Sequence, residues 1–215
     1  EPGGAVIWAR EQSAGRGRRR RHWVSKAGYL YLSILLRPDA ALADAAQLSF
    51  AAALAVKNAL QRLATNGNGP PPLTLKWPND VLVSDAKICG ILLERVKEQV
   101  VVGIGVNVAQ APQVEGRAVT SLKEEGAVVD AIGFLDQLSR EFENWVKLWR
   151  EAGLARILKE WEALAHPVGM TVTTSDDGGD KISGEFAGLT VDGALRLRKA
   201  DGTLIAIRAG DISIG

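Results

Sequence analysis

The chain has 215 residues, a hydrophobic content of 47% and a formal net charge of +1. This length allows one good-sized domain with a small second domain, and the apolar content is ample for a buried core, which excludes wholesale disorder. No apolar run approaches the roughly 20 residues that a membrane-spanning helix needs, so the sequence predicts no such helix.

The single cysteine, Cys89, excludes an internal disulfide and a multi-cysteine zinc site. It lies in the apolar run ICGILL and is predicted to be a buried thiol. One cysteine in a chain of this size fits a reducing compartment, so we expect a cytoplasmic location.

Positive charge is concentrated in one segment near the N-terminus. Residues 15–26 carry six positive charges and no negative ones, so the rest of the chain has a net charge of −5. A general nucleic-acid binder spreads its basic residues along a face or a domain. Confinement of the charge to one loop favours a local anionic ligand, and a nucleic-acid-binding module is the competing hypothesis.

The first part of the chain is predicted to contain strands on either side of a long helix. AVIWAR (5–10) predicts a strand, and the glycine–arginine segment after it predicts a long loop. YLYLSILLR (29–37) is nearly apolar throughout, as is typical of a central strand that is buried on both faces. Residues 42–63 contain no proline or glycine and predict a helix that ends before the loop NGNGPPP.

Short apolar runs follow this helix and predict further strands. LTLKW and VLV come first, and KICGILLERV and VVVGIGVNV are then separated by a short charged turn, which predicts an antiparallel hairpin. Residues 109–129 have no regular pattern. A helical period returns after Asp130, a predicted N-cap, and Gly153 is the predicted stop before a second helix over 154–164. The aromatic residues in these helices have helical spacing, which indicates core packing in preference to a base-stacking surface.

The pattern changes at His166-Pro167. Residues 168–215 are short alternating runs broken by DDGGD, VDGA and ADGT, and turn chemistry at that spacing predicts a small antiparallel barrel or sandwich. We therefore expect two domains, residues 1–165 and residues 166–215.

Three segments of the larger domain carry polar residues that a simple core does not need. They are the glycine–arginine loop, LKWPNDVLV (75–83), and the strand pair in which Lys87 and Asn107 end apolar runs beside glycines. Each feature has an ordinary explanation when taken singly: a turn, a solvent-exposed lysine, or glycines at a tight backbone approach.

Together the motifs resemble those of the biotin protein ligases. EQSAGRGRRRRHW, YLYLSILLRP, LKWPNDVLV, KICGILLE, VVGIGVNV and TSL follow the order and spacing of that family, and GEFAGLTVDGALRLR with IRAGDIS is similar to its C-terminal domain. The resemblance implies an α+β fold. A mixed β-sheet with packed helices, like the catalytic domain of class II aminoacyl-tRNA synthetases, would form residues 1–165, and a small SH3-like β-barrel would form residues 166–215.

The resemblance also implies a two-step reaction. The enzyme would activate biotin with ATP as biotinyl-5′-AMP and would then transfer the biotinyl group to a lysine of a biotin carboxyl carrier protein, from acetyl-CoA carboxylase or a related carboxylase. ATP and biotin would be substrates and Mg²⁺ would accompany ATP. The protein would be a monomer or a homodimer without a membrane or nucleic-acid partner. A lipoate-attaching ligase of related fold is the alternative, although the KWPND and GRGR motifs favour biotin.

By the same resemblance, individual residues acquire expected roles. Lys87 would bridge the biotinyl carbonyl and the α-phosphate, Arg18 would hold the adenylate, and Lys76 and Asp80 would lie beside the reacting groups, so these four are the expected catalytic residues. Biotin binding is expected at Gln12, Gly15, Arg16, Gly17, Arg18, Tyr31, Lys87, Gly90, Gly103 and Gly105. ATP or adenylate binding is expected at Arg18, Arg21, Trp23, Lys76, Asn79 and Asn107, and Asn107 is the expected Mg²⁺ contact. The loop itself would act as a lid that excludes water from the adenylate.

The chain departs from the family pattern in two places. Arg20 stands where the family usually has glycine, which restricts a positive φ and adds a charge. The family's Ser-Thr-Asn biotin segment would precede residue 1, so the catalytic domain is expected to lack its N-terminal start. No helix-turn-helix occurs in these residues, as expected of a ligase without a DNA-binding domain.

Overall fold

The computed structural model describes two β-sheets and two long helices. It describes residues 4–21, 23–37, 44–63, 72–175 and 181–214. The elements of the larger domain, in chain order, are β1 (Ala5–Ala9), β2 (Leu30–Leu36), α1 (Leu48–Gln61), β3 (Leu73–Lys76), β4 (Asp80–Val83), β5 (Ala86–Val96), β6 (Gln99–Val106) and α2 (Ala131–Glu162). The remaining strands are β7 (Thr171–Ser175), β8 (Lys181–Leu189), β9 (Leu195–Arg198), β10 (Leu204–Ile207) and β11 (Asp211–Ile214).

Six strands form the larger sheet, in the order β1-β2-β6-β5-β4-β3. Their ladders are antiparallel, and β5 and β6 form the hairpin that the sequence predicts. Isolated parallel bridges join Leu75 to Ala165 and Lys87 to Val119, so the sheet as a whole is mixed, as expected. The apolar strand β2 lies between β1 and β6, away from the sheet edge.

Local sequence chemistry explains the start of α2 and the break within it, whereas α1 has no side-chain cap. A short 3₁₀ turn (Asp44–Gln47) leads into α1, while residues 42 and 43 of the predicted helix and most of the loop NGNGPPP lie outside the described residues. Asp130 is the N-cap of α2, because its Oδ1 accepts a hydrogen bond of 2.7 Å from the Gly133 N–H. Gly153 has a left-handed backbone (φ 73°) inside α2, so the predicted stop and second helix are confirmed as two helical segments around this residue.

One face of the larger sheet packs against the helices. Alternate residues of β6, Val102, Ile104 and Val106, are buried on that face together with the helical aromatic residues, which confirms that those aromatics form core. Phe50 and Trp161 meet edge to face with ring centroids 5.4 Å apart. The described helices do not cover the opposite face of the sheet, so a functional site can form there.

Cys89 is buried with no solvent exposure, as predicted. Burial raises the pKa of its thiol, since a thiolate is poorly solvated in apolar surroundings.

The C-terminal strands form a separate antiparallel sheet in the order β10-β9-β8-β7-β11. This confirms the antiparallel strands expected there, while closure into an SH3-like barrel and a domain boundary at residue 165 stay predictions. The predicted turn DDGGD (176–180) lies outside the described residues.

Two hydrogen bonds fix the C-terminal sheet against the larger domain. The Trp77 Nε1–H donates to the Gly193 carbonyl at 3.1 Å, and the Leu189 N–H donates to the Glu162 carboxylate at 2.7 Å. Trp77 is buried, so the tryptophan of the KWPND motif anchors one domain to the other.

The packing at this junction predicts that alanine destabilises the fold more at one of two glycines with similar backbone conformations. Gly193 (φ 84°) and Gly202 (φ 83°) both have left-handed backbones, but a Cβ at Gly193 would lie 2.6 Å from Phe50, whereas a Cβ at Gly202 meets nothing within 4 Å. Gly202→Ala should cost about 1–2 kcal/mol in the free energy of unfolding. Gly193→Ala should cost about 1–3 kcal/mol more because of overpacking. Urea denaturation of both variants measures the difference, and equal losses would contradict the described packing at Phe50.

Candidate active site

One row of cross-strand partners brings the sequence motifs together. Tyr31 of β2 pairs with Gly105 of β6, Gly105 with Gly90 of β5, Gly90 with Asp80 of β4, and Asp80 with Lys76 of β3. Directly paired residues share a face of an antiparallel sheet. Four motifs that are distant in sequence therefore meet on the face opposite the helices.

A β-bulge turns Lys87 toward the same face. Val81 pairs with Cys89 but Leu82 pairs with Lys87, so β5 contains one extra residue at this point. Without the bulge, alternation would place Lys87 and Gly90 on opposite faces, since they are three residues apart. With it, the Lys87 Nζ lies 2.5 Å from the Asp80 Oδ1, and both side chains are about five-sixths buried.

The glycine–arginine loop folds back on itself across this face. The Trp23 N–H donates to the Gly15 carbonyl at 3.0 Å, and the Gly17 N–H donates to the Arg21 carbonyl at 2.8 Å. A Cβ at Gly15 would lie 2.1 Å from the Ser25 Oγ, so only glycine fits where the two arms of the loop cross.

The Trp23 indole rests on the glycines of the row. A Cβ on either Gly90 or Gly105 would lie 3.0 Å from indole atoms, so the ring contacts the bare backbone of β5 and β6. The Lys87 Nζ lies 5.2 Å from the indole centroid, a cation–π distance. The indole Nε1 is buried and has no hydrogen-bond partner in the part of the chain that the structure describes.

Three arginines of the loop are paired with carboxylates. Arg16 contacts Glu94 at 3.1 Å. Arg18 and Arg21 both contact Asp211 of β11, at 3.2 and 2.5 Å. The left-handed residue of the loop is Arg19 (φ 54°), and Arg20 is not among the described residues with positive φ.

A cavity of about 480 Å³ lies between the loop and the sheet, within the usual range for small-molecule sites. The sequence-predicted site residues that line it are Gln12, Arg16, Gly17, Arg18, Arg21, Trp23, Tyr31, Asn79, Asp80, Lys87, Gly90, Gly103, Gly105 and Asn107. Gly15 is buried inside the loop and Lys76 lies behind Asp80, so neither is among the lining residues. Burial lowers the pKa of Lys76, and nearby Asp80 opposes that shift.

Several predicted site residues form hydrogen bonds that hold the walls of the cavity together. The Asn79 side-chain amide donates to the Ile91 carbonyl at 2.5 Å and ties the KWPND turn to β5. The Tyr31 hydroxyl donates to the Lys26 carbonyl at 2.9 Å, and burial raises its pKa. The Ser25 hydroxyl donates to the Gln12 Oε1 at 3.0 Å. These hydrogen bonds tie residues of the loop to one another and to β2.

Asn107 is the residue whose chemistry suits Mg²⁺. Its Nδ2 donates to the Thr120 carbonyl at 2.8 Å, while its buried Oδ1 has no partner among the described residues. In the described ranges no group of three or more His, Cys, Asp or Glu side chains is arranged to hold a metal ion. A single side-chain oxygen fits a Mg²⁺ that takes most of its ligands from phosphates and water.

The sequence motifs did not point to three charged residues that line the cavity: Glu94, Arg117 and Asp211. Glu94 lies in the quoted motif KICGILLE, so its position beside Gly90 and Leu92 could have indicated it. Arg117 lies in the irregular segment 109–129. Asp211 lies in the quoted motif IRAGDIS, but it is about 190 residues from the loop that it contacts, and no local pattern signals such a contact.

None of the described helices is long and apolar enough to cross a membrane.

Comparison with known proteins agrees with the motifs. Residues 1–108 match the model of the Biotin/lipoate A/B protein ligase family, and residues 169–215 match the model of the Biotin protein ligase C terminal domain. A biotin–[acetyl-CoA-carboxylase] ligase from Paracoccus denitrificans is 40% identical over 99% of this chain and 91% of its own length. One from Mycobacterium tuberculosis is 35% identical over 97% of this chain and 78% of its own length.

A solved structure has the same fold. The biotin protein ligase from Aquifex aeolicus in complex with biotin and ATP superposes with a TM-score of 0.82 at 30% identity, over 98% of this chain and 88% of that one.

The contact between Lys87 and Asp80 predicts a measurable coupling energy. Removing either partner would leave an unpaired charge in a site that is mostly shielded from water. The losses of stability in Asp80→Asn and in Lys87→Met should therefore add up to more than the loss in the double variant. A double-mutant cycle by urea denaturation should give a coupling of about 1–3 kcal/mol. The exposed pair Asp136–Arg140, at 3.1 Å on α2, is the matched control and should give about 0.5 kcal/mol or less. Equal coupling in the two pairs would contradict a shielded Lys87–Asp80 pair.

Proposed function

The chain belongs to the biotin/lipoate A/B protein ligase family, and we propose that it is a biotin–protein ligase. It activates biotin with ATP as biotinyl-5′-AMP and transfers the biotinyl group to a lysine of a biotin carboxyl carrier protein. The observation that carries the proposal is the cavity lined by a glycine floor (Gly90, Gly103 and Gly105), the Lys87–Asp80 pair and the paired loop arginines. Biotin brings a fused ring system and a carboxylate, and ATP brings phosphates, so each of these surfaces has a counterpart in the substrates.

The first step brings two anions together. A carboxylate oxygen of biotin attacks the α-phosphorus of ATP, the new P–O bond forms, and the bond to the leaving pyrophosphate breaks. Charge builds on the α-phosphate oxygens, so fixed positive groups stabilise the transition state. Lys87 supplies a compact ammonium, which Asp80 holds in place, and Arg18 supplies a planar guanidinium.

The glycines of the floor give biotin room. Gly90 and Gly105 expose backbone against which the fused rings of biotin can lie, and Gly103 continues that surface along β6. Since the Trp23 indole contacts the same two glycines, it moves off them when biotin binds. Trp23 is then placed toward the nucleotide, and its loop closes over the adenylate to exclude water.

The second step transfers the acyl group. The lysine amine of the carrier attacks the biotinyl carbonyl carbon, an amide bond forms, and the acyl–phosphate bond breaks with AMP leaving as the anion. The proton of the attacking amine passes to solvent. The Asn107 Oδ1 would be the protein contact of a Mg²⁺ brought in with ATP, and the ion would supply positive charge against the phosphates. We infer the carboxylase carrier from the similarity to biotin–[acetyl-CoA-carboxylase] ligases. We infer the cytoplasmic location from the single cysteine.

The alternatives receive less support. A nucleic-acid-binding loop would present unpaired arginines, but Arg16, Arg18 and Arg21 are engaged by Glu94 and Asp211. A lipoate ligase shares the family of residues 1–108, whereas residues 169–215 match a domain described for biotin protein ligases.

Biotin-dependent exchange between ATP and labelled pyrophosphate tests the proposal. The purified chain with ATP and Mg²⁺ should exchange label when biotin is present and show background exchange with lipoate, because only the cognate carboxylate reaches the α-phosphorus in line. Exchange with lipoate alone would establish the alternative ligase. No exchange with either acid would contradict the proposed function.

A lysine control separates chemistry from folding in the same assay. Lys87→Ala should lower exchange by about 100-fold or more, as expected when a charge that stabilises the transition state is lost. Lys147→Ala removes an exposed lysine of α2 that lies 3.9 Å from Glu151, and it should exchange like the unmodified chain. Unchanged exchange in Lys87→Ala would contradict the role given to Lys87.

A further inference from the structure

A carboxylate from the C-terminal sheet holds two arginines of the loop. The Asp211 Oδ1 accepts a hydrogen bond from the Arg18 Nη1 at 3.2 Å, and its Oδ2 accepts one from the Arg21 Nη2 at 2.5 Å. The Gly210 carbonyl accepts a second bond from the same Arg18 Nη1, at 2.9 Å. Asp211 also lines the cavity, so both cations are held at its wall.

The bonds to Asp211 and Gly210 use one nitrogen of the Arg18 guanidinium. Because a guanidinium has five N–H donors, these two bonds leave most of the donors for an anion. The Arg18 side chain is three-quarters buried at the cavity wall. A group held at one end in this way is already oriented for a bidentate contact with an anion, which lowers the entropy lost on binding.

The arginines of the loop repel one another unless a negative charge lies close to them. Five arginines stand within residues 16–21, and no acidic residue lies among them. Burial lowers the pKa of Arg18, Asp211 and Asp80 oppose that shift, and the neighbouring Arg21 and Arg19 add to it. Without Asp211, Arg18 and Arg21 would repel each other and would be free to separate.

Asp211 is itself fixed relative to the cavity. It is the first residue of β11 and pairs with Ser175 of β7. The sheet that contains β11 is attached to the larger domain through Trp77–Gly193 and Leu189–Glu162. The carboxylate is therefore presented from a regular strand whose sheet is hydrogen-bonded to the larger domain, as suits a positioning group.

We propose that Asp211 is a positioning residue that sets Arg18 and Arg21 for the phosphates of ATP. It acts through these two arginines and does not contact the reacting atoms, and this role rests on the proposed function. We expect the effect to fall on the nucleotide, because the proposed function gives Arg18 to the α-phosphate and places biotin on the glycine floor. The C-terminal domain thereby completes the nucleotide site of the larger domain.

Calorimetric titration of ATP and of biotin, each into purified Asp211→Asn, Asp211→Glu and Asp192→Asn, tests the inference. Asp192 is the matched control, an exposed aspartate of the same domain that pairs with Arg208 at 3.2 Å. Asp211→Asn should raise the Kd for ATP about tenfold, the scale of a partly exposed charge-assisted contact, and should leave the Kd for biotin within about twofold. Asp211→Glu should recover most of the ATP affinity, and Asp192→Asn should match the unmodified chain.

The outcomes separate this inference from the proposed function. An unchanged Kd for ATP in Asp211→Asn would overturn the positioning role alone. A parallel rise in both Kd values, together with a lower melting temperature, would indicate a structural role and would also overturn it. Normal ATP binding without biotin-dependent exchange would overturn the proposed function alone, and an unmodified chain that does not bind ATP would overturn both.

Discussion

The site depends on the register of the larger sheet. Tyr31, Gly105, Gly90 and Asp80 come from four strands and stand in one row, because each ladder is fixed by the burial of alternate apolar residues against α1 and α2. A slip of one residue in β6 would move Gly103 and Gly105 to the helix-packed face and turn the Ile104 side chain toward the site. The hydrophobic core therefore determines where the chemistry lies.

Much of this arrangement could be predicted from the sequence. The strands, the hairpin β5–β6, the cap at Asp130 and the break at Gly153 all follow from local pattern and turn chemistry. The motif resemblance named residues that line one cavity. The bulge that turns Lys87 toward Asp80 could not be predicted, since it depends on how two ladders meet and no residue type signals it.

The contacts give two predicted site segments a structural role as well. Asn79, an expected nucleotide contact, ties the KWPND turn to β5, and Trp77 of the same motif hydrogen-bonds the C-terminal sheet. The arginine-rich loop, whose charge alone predicted an anion site, is neutralised in part by Glu94 and Asp211. These carboxylates are far away in sequence, so charge counting along the chain could not find them.

The most direct test is a crystal structure of the chain with a non-hydrolysable biotinyl-adenylate analogue. We expect the biotinyl rings over Gly90 and Gly105, with the linking group about 3 Å from the Lys87 Nζ and the Arg18 guanidinium. We also expect the Trp23 indole to have left the two glycines. An analogue bound away from the row, or with Lys87 beyond hydrogen-bonding distance of the linking group, would contradict the proposed site.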